Sequence, residues 1–244
     1  MMLKRAFFEQ LHALIEKVET TLNDEVDQAA QVISDAMAAG KGIHIYDTGH
    51  MLSSELIHRA GGMAAFHQLN FNLAIDNPVR KRDEDAAKDR NMEGLAAYVF
   101  KSSGVHPGDV LIIGSVSGKS VFPVDLAIIA RSLGVYVIAL TSVTYSSQLV
   151  SEHSSGKRLY ECADLVIDNC APSMDAMVEV PGMEQRICPA SGISAATIMW
   201  AITAQVTENL LKENLQPSIL KSINKEGSAA FNEKILKQYA ETGL

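Results

Sequence analysis

Asp109-Val110-Leu111-Ile112-Ile113-Gly114-Ser115-Val116-Ser117-Gly118-Lys119-Ser120 decides how the chain folds. Val110 to Ile113 is a short apolar, β-branched run bounded by Asp109 and Gly114, the pattern of a strand buried on both faces. A helical pattern follows over Pro123 to Leu133, and a second run of strand character, Val135 to Leu140, closes the block. Strand, loop, helix and strand in this order form a βαβ unit of ordinary length, whose strands lie parallel.

The same alternation extends on both sides. Ile43 to Tyr46 and Leu165 to Ile167 read as further buried strands, and the weaker run Ala64 to Leu69 as a fifth. Helical patterns at Ser53 to Arg59 and Met92 to Lys101 lie between them. Upstream, Phe7, Leu11, Leu14, Ile15, Val18 and Leu22 form one helical stripe, and Val26, Ala29, Ala30, Ile33 and Met37 another. Asn23 is the expected N-cap of that second helix and Gly40 its C-cap. Downstream, Met177 to Cys188 reads as a hairpin around Pro181-Gly182, followed by a long apolar helix, Ser194 to Leu211. Pro217 breaks the chain before a final amphipathic helix, Phe231 to Tyr239. The fold expected is therefore α/β, a doubly wound parallel sheet flanked by helices with N- and C-terminal helical extensions. One domain spans 1–244, with helices over 1–40, the α/β core over 41–215 and a helical tail over 216–244. The charged segment Asp76 to Arg90 reads as a solvated loop or helix face.

Composition narrows the function classes. A formal net charge of −8 repels nucleic-acid phosphates, so binding a duplex through a basic face is not expected. The N-terminal residues run into Glu9, Glu16 and Glu19 without a long apolar stretch, so no signal peptide is read there. No apolar run reaches the ~20 residues that span a bilayer. Cys162, Cys170 and Cys188 lack paired or C-x-x-C spacing and read as reduced, mostly buried thiols of a cytoplasmic protein.

In an open parallel sheet, ligands bind beyond the carboxyl ends of the strands, where the strand order reverses. The loop Gly114 to Ser120 leaves one strand end and offers the hydroxyls of Ser115, Ser117 and Ser120, the turn at Gly118, Lys119, and the free amides of the coming helix. A phosphate dianion suits it, since each charge-assisted hydrogen bond contributes roughly 1.5–3 kcal/mol. The alternative is a Ser/Gly-rich turn that only caps a helix. The loop is one residue short of a Walker P-loop, and Leu165-Val166-Ile167-Asp168 resembles any buried strand ending in Asp. Nucleotide hydrolysis is therefore set aside. Asp47-Thr48-Gly49-His50 leaves another strand end with Thr48, Gly49 and His50 as binding candidates, and Thr141 to Ser147 supplies Ser142. Loops this rich in hydroxyls and glycine suit a polyhydroxylated, phosphorylated ligand.

Together these stretches resemble the sugar isomerase (SIS) domain family, in the branch that carries one such domain per chain. The resemblance rests on Asp109 to Ser120 and on Val137-Ile138-Ala139-Leu140-Thr141-Ser142. It rests also on Ala60-Gly61-Gly62, on His153-Ser154-Ser155-Gly156-Lys157-Arg158-Leu159 and on Ala163-Asp164-Leu165-Val166-Ile167-Asp168-Asn169. It implies a five-stranded, flavodoxin-like parallel sheet, phosphate contacts from Ser115, Ser117 and Ser120, and a homodimer or larger homo-oligomer. Phosphosugar isomerases such as phosphoheptose isomerase belong to this family. Many members carry a Gly-Ser pair in the first loop where this chain has Thr48-Gly49-His50-Met51, so Thr48 or His50 is expected to replace that contact.

Aldose–ketose isomerisation needs a base to move a proton between C1 and C2 and a group that polarises the carbonyl. Glu55, on the helix after the first loop, is the expected base, and family isomerases often carry a glutamate there. His153 is a candidate acid, and Lys157 a candidate hydroxyl or phosphate ligand. No cofactor or metal is assigned, because His50 and His58 lack the i, i+4 spacing of a ligand pair. The expected function is binding of a sugar phosphate with isomerase or related lyase chemistry. The alternative is a sensor that binds the same ligand without turnover.

Overall fold

β3 (Val110–Gly114) is buried at every position and sends alternate side chains into two cores. Ile112 joins Ile43, Ile45, Ile138 and Ile167 on one face of the sheet. Leu111 and Ile113 join Val137 and Ala139 on the other. This two-sided burial is why the strand reads as one continuous apolar run. Fully burying each such side chain contributes roughly 1.5–3 kcal/mol, so the central strands carry much of the stability.

The computed structural model describes residues 2–49, 51–73 and 92–244. His50 and the charged segment Asp76 to Arg90 lie outside these described residues. Two helices, α1 (Leu3–Thr21) and α2 (Asn23–Ala38), precede β1 (Ile43–Asp47), a short α3 (Ser53–Leu56) and β2 (Phe66–Gln68). Then come α4 (Leu95–Ser102), β3, α5 (Val121–Ser132), β4 (Tyr136–Thr141), a short α6 (Val143–Ser146) and β5 (Leu165–Asp168). The hairpin β6 (Ala176–Val178) and β7 (Ile187–Pro189) leads to α7 (Ser191–Lys212) and finally α8 (Ser228–Thr242). The main sheet is five-stranded, in the order β2-β1-β3-β4-β5, and every pairing within it is parallel. The weak fifth strand is real: Phe66 pairs with Ile43 at one edge. The chain covers that edge itself. The tail pairs Ala64 with Ser218, and Tyr239 of α8 hydrogen-bonds His67 of β2 at 2.7 Å.

Several element boundaries differ from the sequence pattern, most of them where a partner comes from elsewhere in the chain. Asn23 is the first residue of α2 rather than its cap, because Leu22 holds the cap position and accepts from the amide of Val26. At the other end of α2, Gly40 and Lys41 bond back to Met37 and Ala36, the expected Schellman closure. α3 stops at Leu56 instead of Arg59, since Ile57 turns extended and the tail residue Leu220 takes the Gly61 amide. α4 starts at Leu95, where Asp125 of α5 accepts from Gly94 and Ala96. α7 starts at Ser191, where Asp175 accepts from the amides of Ala190 and Ser191.

Candidate functional site

β1 and β3 are adjacent, and the chain leaves them in opposite directions across the sheet. Their carboxyl ends therefore mark the switch point, and the loops that follow share one rim. Asp47 shapes the first loop. Its carboxylate accepts from the amides of Gly49, Leu52 and Ser53 and from the Ser53 hydroxyl, folding the chain back into α3. Burial pushes this carboxyl up, but the Ser53, Gly49 and Leu52 bonds outweigh it and hold the pKa below the usual carboxylate value. Thr48 bonds through its amide to Gly114 of β3, so it stands exposed beside the second loop together with Gly49.

The second loop is pinned from below. The hydroxyl of Thr141 and the amide of Ser142 both donate to the Val116 carbonyl. Gly118 adopts φ +56, and a Cβ there would meet Ser146 Oγ at 3.0 Å and Thr141 Oγ1 at 3.1 Å. Only glycine lets the backbone lie so close. Ser115 is buried at the base, while Ser117, Lys119 and Ser120 reach the surface. Ser120 occupies the N-cap of α5 with extended backbone, yet its hydroxyl makes no capping bond. It does not cap the helix whose first-turn amides of Val121 and Phe122 lie next to it. Lys119 is engaged by the Glu152 carboxylate.

A strap formed by residues 149–159 crosses this loop. Leu159 donates its amide to the Gly118 carbonyl at 2.7 Å, and Glu152 to the Lys119 carbonyl at 2.9 Å. His153 anchors the strap. Its side chain is 7% exposed, and Nε2 lies 3.8 Å from both Asp125 Oδ1 and Glu93 Oε1 without a hydrogen-bond partner. The Ser155 amide donates to Nδ1 at 3.0 Å, which leaves the proton of a neutral ring on Nε2, between the two carboxylates. His153 thus faces α5 and the turn before α4 rather than Glu55. Lys157 is exposed on the strap. Ser142 is fully buried, with its hydroxyl donating to the Ala171 carbonyl and accepting from the Tyr145 amide, so that it caps α6.

Glu55 opens onto a cleft of about 620 Å³ between α3, β7 and the first turn of α7, with Phe7, Met51, Cys188 and Ile193 among its walls. The side chain is 44% exposed and pairs with Arg59 at 3.3 Å. Leu52 is fully buried under the end of β3, where a Cβ on Gly114 would meet its Cδ1 at 3.0 Å, while its neighbour Met51 lines the cleft.

The SIS domain profile matches residues 6–142, more than half of the chain. The chain belongs to the SIS domain family. Its sequence is 32% identical over 237 residues to a UPF0309 protein of Streptomyces griseus, covering 96% of this chain and 94% of that one. It is 33% identical over 239 residues to a UPF0309 protein of Caldanaerobacter subterraneus, covering 96% of each. Two phosphoheptose isomerase structures share the fold. The one from Neisseria gonorrhoeae gives a TM-score of 0.53 at 17% identity, covering 84% of this chain and 97% of that one. The one from Francisella tularensis gives 0.52 at 16%, covering 84% and 96%. Among the described residues, no helix is long and apolar enough to cross a membrane.

In this SIS domain, reasoning from sequence missed Asp47, Glu152 and the α7 side of the cleft. Asp47 had a local signal, an Asp at a strand end two residues before a Gly, which favours a side-chain-closed turn. Glu152 lies 33 positions from Lys119 and Cys188 faces Glu55 only through the tertiary fold, so neither had one.

Proposed function

We propose that this SIS domain binds a sugar phosphate at the switch point and interconverts its aldose and ketose forms. The observation that carries the reading is Ser120, an N-cap serine whose hydroxyl makes no capping bond, beside the left-handed Gly118. A turn serving only to cap α5 would use that hydroxyl on the helix. In the proposed complex, Ser117, Ser120 and the α5 amides hold the phosphate, and Ser115 supports them from the base. Lys119 adds charge after exchanging Glu152 for the ligand. The sugar then extends along the rim toward Glu55, whose carboxylate carries the proton between C1 and C2. Thr48 donates to the carbonyl oxygen on which charge develops. The ion pair with Arg59 is exposed, contributes little, and yields to a ligand.

Glu55→Gln tests the role directly. Loss of a general base lowers kcat by roughly 10²–10⁴-fold while the affinity for the phosphosugar stays near wild type. Product analysis separates isomerisation from elimination, because the same carboxylate can take the C2 proton in either. A second reading follows from Glu55 being half-exposed and held by Arg59: a sensor that binds without turnover. Saturable binding with no product under any condition would favour it.

A further inference from the structure

The strap of residues 149–159 grips the loop from Gly114 to Ser120 through backbone, and a backbone bond carries direction. Leu159 donates its amide to the Gly118 carbonyl, and Glu152 donates to the Lys119 carbonyl. In a trans peptide the C=O and N–H of one unit point opposite ways. Holding those two carbonyls therefore turns the amides of Lys119 and Ser120 to the side away from the strap. Among the described residues, neither amide has an acceptor. Successive amides freed at a turn, here one with Gly118 at φ +56, form a concavity for an anion. Hydrogen bonds in a chain polarise one another, so a peptide unit held at its carbonyl is a stronger donor at its N–H. The strap thus sets both the aim and the strength of the two donors.

His153 is the side chain that seats the strap. It is 7% exposed, and its Nε2 lies 3.8 Å from Asp125 Oδ1 and from Glu93 Oε1 without a hydrogen-bond partner. Asp125 belongs to α5, the helix that begins directly after the loop, and its other oxygen is fixed by the amides of Gly94 and Ala96. Nδ1 is taken by the Ser155 amide, so Nε2 is the ring atom aimed out of the strap. A closure of about 1 Å brings it within hydrogen-bond reach of either carboxylate. A buried N–H left unbonded is costly, which favours the state with the strap seated on α5. We propose that His153 is a positioning residue for the phosphate: its Nε2–H seats the strap on α5, and the seated strap aims the amides of Lys119 and Ser120 at the ligand. The inference rests on the phosphosugar reading above and adds a residue that acts without touching the ligand. Linkage makes the effect reciprocal, since a strap that favours the anion is seated by the anion to the same factor.

Two substitutions divide the ring. His153→Asn keeps an acceptor for the Ser155 amide and loses the reach of Nε2, whereas His153→Gln carries an N–H out to that position. Both are checked for a cooperative melt. Calorimetric titration of the full chain then measures binding of inorganic phosphate and of a panel of hexose 6-phosphates. His153→Asn is expected to weaken the phosphate compounds by about ten-fold or more, and His153→Gln to stay within about three-fold of wild type. A lower melting temperature in His153→Asn with unchanged affinity would make the residue merely structural and overturn the proposal. Equal weakening in the two variants overturns the assignment to Nε2–H. The wild type supplies a reading that needs no variant: saturation with the tightest of these compounds slows hydrogen exchange of the Glu152 and Leu159 amides by about five-fold or more, followed by NMR. Binding with unchanged exchange at both amides overturns the proposal and leaves the phosphosugar reading intact. Absence of binding by every compound overturns both.

Discussion

Replacing Gly118 with alanine asks two things of the loop from Gly114 to Ser120 at once, and a second glycine separates them. At φ +56 an L-residue bears a conformational penalty of about 1–2 kcal/mol. The new methyl would also sit 3.0 Å from Ser146 Oγ, 3.1 Å from Thr141 Oγ1 and 3.3 Å from Leu159 Cβ. Thr141 and Ser146 are fully buried and Leu159 is bonded to the Gly118 carbonyl, so none can withdraw freely. Such crowding adds roughly 1–3 kcal/mol. Gly156 has φ +70 but nothing within 4 Å of its would-be Cβ, so Gly156→Ala reports the conformational penalty alone. For a chain of this size each kcal/mol moves Tm by roughly 2–4 °C. Gly156→Ala is therefore expected to melt about 2–8 °C below wild type, and Gly118→Ala about a further 2–12 °C lower. Scanning calorimetry on the two variants, with urea midpoints as a check, reads the difference. Coincident melting of the two would refute the close packing of the loop on Thr141 and Ser146, and with it the reason for a glycine there.

Asp47 makes stability depend on acid. Its folded pKa lies below the ordinary 3.8, so its contribution is present above that value and is lost as pH falls through the folded pKa. Asp47→Asn is expected to cost about 1–3 kcal/mol at pH 7 and to flatten this acid limb, as urea melts at pH 7 and below pH 4 would show. Glu152→Gln frees Lys119 and is expected to tighten binding of a sugar phosphate by up to roughly five-fold at low salt, since an exposed pair is worth about 0.2–1 kcal/mol. Calorimetric titration at two ionic strengths checks that the gain shrinks with salt. Asp125→Ala strands the amides of Gly94 and Ala96 and is expected to destabilise by about 2–4 kcal/mol, lowering Tm by roughly 4–16 °C.

The central strands could be read from the chain because burial on both faces writes itself as unbroken apolar runs, and β3 and β4 do so. β2 was fainter because only Phe66 of its three residues is buried. The loop from Gly114 to Ser120 was legible for a local reason, since its glycines and serines stand together within seven consecutive residues. Caps supplied from a distance were not. Asp125 starting α4 and Asp175 starting α7 depend on residues 15 or more positions away. His153 shows the same limit more sharply. As a loop histidine beside serines it read as a candidate acid, but its burial and its position between Asp125 and Glu93 come from three segments meeting. Ser142 looked like one more hydroxyl of the rim, and only the fold turns it inward to Ala171.

The most direct measurement is a thermal-shift titration of wild type and Ser117→Ala with sugar phosphates, using parent sugars and inorganic phosphate as controls. A ligand at one hundred times its Kd adds ~2.7 kcal/mol of stability. For this chain that is roughly 5–10 °C in Tm. The expected result is a shift of that size for at least one sugar phosphate, little for its parent sugar, and most of it lost in Ser117→Ala. A flat response to every sugar phosphate, or an equal shift in Ser117→Ala, would contradict the assignment of the Ser115–Ser120 loop as the phosphate site.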